Sequence, residues 1–370
     1  MLRPVAIAAG GTGGHLFPAE ALAAALAARG QRPVLFTDAR TAERLGPGFA
    51  HVETHVIPAE GLAGRGIARA PRAALTLARG TLAARRVLGR IGAAAIVGFG
   101  GYPSVPPIVA ARTLGARRPR IVLHEQNAVL GRANRALCPI ADLLALSFAA
   151  TTRVAGGAAT RVTGNPVRPG IAARAGLGYA PPAENGAFRL LVLGGSLGAR
   201  VFADVVPAAL ALLPDALRAR IHLVMQARGE DVERCSVALD AAGIAATVAP
   251  FFADVAEHLT AAHLVIARAG ASTVAELAAV GRPSILVPLP GAIDDHQAAN
   301  ARALADAGGA VSLAQHTLTA DALAAEIMLR ADEPRLLATM AGAAAALAVT
   351  NAADLLADAV LALARTEVSA

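Results

Sequence analysis

Lysine is missing altogether: all 34 basic residues of this 370-residue chain are arginine. That excludes a Walker-type phosphate loop, whose motif requires a lysine. Tryptophan is missing too, and aromatic residues make up 3% of the chain. With alanine dominating a 55% hydrophobic composition, the cores should be helix-rich and packed from small side chains. Two cysteines, Cys138 and Cys235, stand far apart with no Cys-x-x-Cys pair. Neither a disulfide framework nor a zinc site is signalled, and two buried thiols in a reducing compartment are the simplest reading. Long apolar runs are also lacking. The longest uncharged stretch, residues 91–111, carries GFGGYPSVPP in its middle, which a lipid-exposed helix could not satisfy, so no transmembrane segment is expected. Gly10, Gly11, Gly13 and Gly14 interrupt the N-terminal apolar run, which therefore reads as strand, loop and helix rather than signal peptide.

Acidic residues are absent between Glu60 and Glu125, where eleven arginines fall: Arg65, Arg69, Arg72, Arg79, Arg85, Arg86, Arg90, Arg112, Arg117, Arg118 and Arg120. This segment holds the whole positive surplus of a chain whose net charge is +7. Ile67, Leu75, Leu82 and Leu88 punctuate it in helical composition. Solvated helix faces, nucleic-acid binding and contact with anionic lipid headgroups all compete. A basic segment with interspersed Leu and Ile fits a membrane surface best. Nucleic acid would need clustered aromatics, and only Phe99 and Tyr102 are there.

At this length about two domains are expected. Apolar strands at residues 4–9, 33–37, 52–58, 94–97, 120–123 and 143–147 alternate with helical stretches, beginning with residues 18–29. That alternation predicts a parallel, doubly wound sheet. The pattern then restarts, because residues 189–193 followed by Gly194-Gly195-Ser196-Leu197-Gly198 repeat the opening strand and its Gly10-Gly11-Thr12-Gly13-Gly14 loop. Two Rossmann-like α/β halves follow from the duplication, each binding ligand beyond its strand C-termini, so that two facing sheets define one cleft. Gly164-Asn165-Pro166 is the expected hinge. The first domain then spans residues 1–164 and the second 165–348. A helical tail, residues 335–364 with a break at Thr350-Asn351, should cross back so that about 349–370 completes the first.

The stretch His263 to Ala301 carries most of the chemistry. An apolar strand ends at Arg268-Ala269-Gly270, and Val274, Leu277 and Ala278 then recur at helical spacing. A strand feeding a glycine turn and a helix start leaves amides pointing at one spot, where an anion can be held. Ser272 and Thr273 add hydroxyls there. Glu276, read as part of the first turn, offers a carboxylate to the paired hydroxyls of a ribose. A strand at residues 284–288 leads to a polar loop with Asp294, Asp295, His296, Gln297 and Asn300, suited to a polyhydroxylated ligand. Asp294-Asp295-His296 has metal-like composition, but no further carboxylate or His cluster completes a site, so no metal is expected.

GGTGGH fails as a dinucleotide fingerprint, since Leu16 stands where GxGxxG needs glycine; Asp38 nonetheless lies near the ribose-acid position. An NAD-dependent dehydrogenase is thereby disfavoured. A non-catalytic adaptor at the membrane surface would not require the polar loop after Pro288. His15, following the first glycine loop, is a candidate general base: a neutral imidazole takes a proton near pH 7.

Six ordered blocks, GGTGGHLFPA, GFGGYPSVP, HEQNAVLGRANR, TGNPVRP, LGGSLGAR and RAGASTVAELAAVGRPSILVPLP with DDHQAANA, make the chain resemble the MurG family of peptidoglycan N-acetylglucosaminyltransferases. The resemblance implies a GT-B fold and a peripheral place on the cytoplasmic membrane face. It also implies inverting transfer of GlcNAc from UDP-GlcNAc to the MurNAc 4-hydroxyl of undecaprenyl-diphospho-MurNAc-pentapeptide (lipid I to lipid II), without a cofactor. Other GT-B enzymes, a glycolipid synthase or a sugar-nucleotide epimerase, are the nearest alternatives. By the resemblance the donor site comprises Thr12, Gly13, Gly14, Asn127, Arg168, Ser196, Phe252, Ala271, Ser272, Thr273, Val274, Ala275, Glu276, His296 and Gln297. Ser196 and the helix start at Ala271 would hold the diphosphate, Glu276 the ribose, the Phe252 backbone the uracil, and Asn127, His296 and Gln297 the sugar. Arg168 would stabilise departing UDP and His15 would be the base. Gly100, Gly101, Tyr102, His124 and Glu125 would lie on the acceptor side. Partners are then UDP-GlcNAc, lipid I, an anionic membrane surface through residues 65–120 and possible further cell-wall enzymes, with no nucleic acid. Two positions depart from the family pattern: Leu197 stands where Gln is common and Ala203 where Asn is.

Overall fold

The computed structural model describes residues 3–60, 70–154, 156–195 and 198–365. Arg65, Arg69, Ser196 and Leu197 lie outside the described residues. Internal contacts divide the chain into two units, Met1–Arg168 with Asn351–Ala370, and Pro169–Thr350. The division falls a few residues beyond the Gly164-Asn165-Pro166 turn.

In the first unit β1 (Val5–Ala8), β2 (Pro33–Thr37), β3 (Glu53–Val56), β4 (Ala95–Gly98), β5 (Arg120–Glu125), β6 (Leu143–Leu146) and β7 (Ala159–Val162) form one sheet, in the order β3-β2-β1-β4-β5-β6-β7. Every pairing is parallel. Alternate residues serve opposite faces. Val5 and Ile7 pack with Leu22, Leu26, Leu356 and Val360, while Ala6 and Ala8 pack with Phe36, Ile108 and Leu88. Both faces are therefore covered, as a parallel sheet requires. One cover comes from the end of the chain: the helix Ala352–Arg365 lies on the helix Gly13–Ala28, and Arg29 reaches Asp354 at 2.7 Å and Asp358 at 3.0 Å.

The second unit repeats the plan with β8 (Phe188–Leu193), β9 (Ile221–Gln226), β10 (Ala245–Ala249), β11 (Leu264–Ala267), β12 (Ser284–Leu286) and β13 (Ala310–Ser312), ordered β10-β9-β8-β11-β12-β13 and parallel throughout. Phe188, Phe202, Leu223, Ile266, Ile285 and Leu337 anchor its core. In each sheet the strand order reverses beside the first strand, between β1 and β4 and between β8 and β11. Such switch points open the crevice in which doubly wound sheets bind ligands.

Several boundaries move from their sequence expectation, with functional consequences. The first helix begins at Gly13, not Pro18, with extended Thr12 as its N-cap. The first helical amides need no intrahelical acceptor, so glycines are tolerated there. His15 thus sits in the first turn of a helix rather than in a loop. β5 runs on through His124 and Glu125, placing both at a buried strand end. Glu276 lies in the second turn of the helix Ala271–Val280, whose first turn carries no acid.

Candidate active site

The first glycine loop is shaped from beneath by an acid. Asp38 accepts from the Thr41 amide at 3.1 Å and from the Thr41 hydroxyl at 2.7 Å, and Thr41 Oγ1 in turn accepts from the Gly11 amide at 2.9 Å. Gly11 holds φ 90°. A Cβ on Gly10 would stand 2.8 Å from Asp38 Oδ2, so loop and acid fit only with glycine there. Asp38 is 5% exposed and spends both oxygens on Thr41. The carboxylate that a dinucleotide enzyme would offer to a ribose is here a brace.

Beyond the brace, His15 projects beside the loop that follows β4. Gly100 and Gly101 have φ 80° and 71°, a region L side chains rarely enter. A Cβ on Gly101 would lie 3.3 Å from His15 Cδ2 and Nε2, and one on Gly100 3.6 Å from His15 Cε1. Their missing side chains give the imidazole its room. Tyr102 follows, its hydroxyl accepting from Arg40 Nη2 at 3.1 Å. Asp38, Arg40, Ile57 and Tyr102 line an open pocket of about 570 Å³.

The end of β5 supplies the other wall. Glu125 is 2% exposed and receives four donors: the Asn127 amide and side chain on Oε1, both at 3.0 Å, and the Gly131 amide and Asn134 Nδ2 on Oε2, both at 2.9 Å. His124 is fully buried and donates from Nε2 to the Gly164 carbonyl at 3.0 Å; burial pushes it down to about 4. His124 and Glu125 therefore shape the loop that presents Asn127, and do not themselves face an acceptor. Gln126 and Asn134 received no role from the motif reading. Both are buried, and both bond the His124 carbonyl, Gln126 at 2.9 Å and Asn134 at 3.0 Å. Gln126 also contacts His15 Nδ1 at 3.0 Å. No single-residue signal marks such connectors, because the His15 contact exists only once the end of β5 lies beside the first helix, and the Asn134 bond only once the helix Arg132–Leu137 lies beside β5. Arg168 rests its guanidinium 4.6 Å above the Phe17 ring, one turn along from Gly13, a cation held over an aromatic face.

In the second unit, β11 delivers Arg268-Ala269-Gly270 to the helix Ala271–Val280, whose N-cap Gly270 has no side chain to offer the first amides. Ser272 Oγ is buried with no hydrogen-bond partner among the described residues. An orphaned hydroxyl in the first turn of a helix is a ready donor to an anion. Ala271, Thr273, Val274 and Ala275 share that start, with Val274 turned into the core at 3% exposure. Glu276 is 5% exposed. Arg268 secures the turn from behind, donating to the Val287 and Pro288 carbonyls at 3.1 Å each and to Gln315 Oε1 at 2.6 Å.

The polar loop after β12 is strained. Asp294 and Asp295 both have φ 55°, positions most L residues avoid and which gather at functional sites. They open the helix His296–Asp306. His296 Nδ1 donates to the Ile293 carbonyl at 2.7 Å, while Gln297 Oε1 accepts from the Leu289 amide at 2.9 Å. Asn300, fully buried, donates to the Ala269 carbonyl at 3.1 Å. It ties this loop to the Arg268 turn instead of facing a ligand. Phe252, after β10, packs edge-on against His258 with ring centroids 5.1 Å apart. The glycine loop after β8 admits no side chain at Gly194, where a Cβ would meet Ala199 N at 2.5 Å. Among the described residues no cluster of His, Cys, Asp and Glu is placed to hold a metal ion, and both cysteines are buried free thiols.

Two family models match: the glycosyltransferase family 28 N-terminal domain over residues 5–145 and its C-terminal domain over residues 189–356. A protein of Granulibacter bethesdensis named UDP-N-acetylglucosamine–N-acetylmuramyl-(pentapeptide) pyrophosphoryl-undecaprenol N-acetylglucosamine transferase is 58% identical, over 97% of this chain and 93% of its own. Its namesake in Acidiphilium cryptum is 56% identical over 98% and 97%. The chain belongs to the MurG family. The crystal structure of Acinetobacter baumannii MurG superposes with a TM-score of 0.77 at 30% identity, covering 98% of this chain and all of that one. The two-unit, parallel-sheet architecture is thus the GT-B fold of MurG. Of the two departures from the MurG pattern, Ala203 is 3% exposed within the second core. A polar Asn side chain there would need a buried partner.

Proposed function

We propose that this protein transfers GlcNAc from UDP-GlcNAc, with inversion, to the MurNAc 4-hydroxyl of undecaprenyl-diphospho-MurNAc-pentapeptide. Near-full-length identity of 58% and 56% to two transferases of that name carries the reading. The second unit holds the nucleotide. Helix amides from Ala271 onward and the Ser272 hydroxyl take the diphosphate, Glu276 the ribose, the Phe252 backbone the uracil, and His296 and Gln297 the sugar, with Ser196 as a further diphosphate contact. Within the first unit, Thr12, Gly13, Gly14 and Asn127 are the residues that the MurG resemblance assigns to the donor, and Gly100-Gly101-Tyr102 the loop it assigns to the acceptor.

His15 is the base. Its Nε2 takes the hydroxyl proton as the acceptor oxygen bonds the anomeric carbon and the bond to the UDP oxygen breaks. The helix start and Arg168 offset the charge that leaves with UDP. One displacement inverts the centre, so no covalent enzyme intermediate and no metal or cofactor is invoked. Radiolabelled UDP-GlcNAc and a lipid I analogue test the reading: bound nucleotide without labelled product would sink it. His15→Ala should lower turnover roughly a hundredfold or more, and unchanged turnover removes that role.

We further propose that the first unit docks peripherally on the cytoplasmic membrane face. On the helix Ala70–Ile91, Leu75 and Leu82 are 52% and 54% exposed and share a stripe with exposed Arg79 and Arg86, a pattern suited to anionic headgroups. Arg118 is not part of this surface, because it pairs with Asp142 at 2.6 and 2.7 Å; Arg120 lies 3.8 Å from the same carboxylate. No helix among the described residues is long and apolar enough to cross a membrane. Flotation with anionic vesicles should show binding that weakens with salt; salt-insensitive or absent binding counts against docking.

A further inference from the structure

Gln126 joins two histidines, and the chemistry of its contacts leaves one arrangement of protons. His124 Nε2 lies 3.0 Å from the Gly164 carbonyl. A carbonyl only accepts, so Nε2 carries the proton and Nδ1 of the neutral ring is a bare acceptor. One end of the Gln126 amide is 2.9 Å from that Nδ1 and 2.9 Å from the His124 carbonyl. Both neighbours accept, so this end is the NH2 group. The opposite end, Oε1, faces His15 Nδ1 at 3.0 Å. An amide oxygen only accepts, so the neutral His15 ring carries its proton on Nδ1. Its Nε2 lone pair is left bare beside Gly101, the tautomer a base acting through Nε2 must have.

We propose that Gln126 is a positioning residue that holds His15 in the Nδ1-protonated tautomer, its own amide oriented by the Gly164 carbonyl through His124. The proposal rests on the reading of His15 as the base. During transfer the acceptor proton passes to Nε2, and the resulting imidazolium keeps its Nδ1–H on Gln126 Oε1. Gln126 touches no reacting atom. Burial, which keeps His124 neutral down to about 4, protects the donor–acceptor order of the chain.

The test is long-range proton–nitrogen NMR on 15N-histidine-labelled full-length protein at alkaline pH, with the His15 signals assigned by their loss in His15→Ala. Wild type should show His15 protonated on Nδ1 and His124 on Nε2. Gln126→Met, which fills the space without bonding, should move the His15 proton to Nε2. Its kcat should fall roughly ten- to a hundredfold, with KM for UDP-GlcNAc unchanged. Melting transitions like those of wild type show that both units of the variant are folded. A His15 proton on Nε2 in wild type, or an unaltered tautomer in Gln126→Met, overturns the proposal. A switched tautomer with full turnover upholds Gln126 as the tautomer-setting residue and overturns His15 as the base.

Discussion

Replacing Gly101 by alanine probes the His15 corner without touching a polar group. Gly101 has φ 71° and ψ 167°, a combination L residues all but avoid, and forcing one into it costs about 1–3 kcal/mol. The added Cβ would stand 3.3 Å from both Cδ2 and Nε2 of His15, so the ring must give by a few tenths of an ångström. The methyl would also stand against the nitrogen that is to receive the acceptor proton. A misplacement of about 1 Å can cost about a hundredfold, so a shift of a few tenths of an ångström should cost less but remain measurable. Gly30→Ala is the control. Gly30 also has φ 71°, but a Cβ there meets nothing within 4 Å. Both variants should lose a few degrees of melting temperature, while kcat with a soluble acceptor analogue falls only in Gly101→Ala. If Gly101→Ala melts like Gly30→Ala and turns over like wild type, the bare Nε2 is not where the proton goes.

Leu356→Ala, at a fully buried position of the first core, should cost about 2–5 kcal/mol, read as a fall in the melting of the first unit; an unmoved transition would mean that the last helix is dispensable. Ser272→Ala should weaken UDP binding roughly tenfold or more, the worth of one bond to a charged group, and calorimetry showing unchanged affinity would take Ser272 out of the diphosphate site. His124 ordinarily titrates near 6.5 but is held near 4 by burial. Below 6.5 the unfolded chain therefore binds a proton that the folded chain refuses. Its contribution to stability is complete above 6.5 and is lost as the pH falls toward 4. His124→Gln should flatten that slope in urea titrations, and an identical slope would refute the assignment.

The doubly wound architecture was legible because the buried strands announce themselves. VAIA and PVLFT are short apolar runs ended by glycine or polar turns, and the repeat after β8 exposed the duplication. β7 was not legible: ATRV is exposed at all four positions and carries no burial pattern, being fixed by pairing with β6 alone. The site was legible as loops more than as atoms. Glycine pairs marked where backbone must turn, yet Gly13 and Gly14 hid the true helix start. His15 was picked out as an isolated imidazole, whereas its partner Gln126 comes more than a hundred residues later, just past the end of β5. Asp38 looked like a ribose acid because spacing reports where a carboxylate sits, not that Thr41, three residues on, has already claimed both its oxygens.

The helix Ala352–Arg365 lends Leu356 and Val360 to a core otherwise drawn from the first 145 residues. On a ribosome the second unit can be finished while the first still waits, open along one face, for the helix Ala352–Arg365 to leave the exit tunnel. Maturation should therefore run inside-out, with the middle of the polypeptide protected from protease before its beginning.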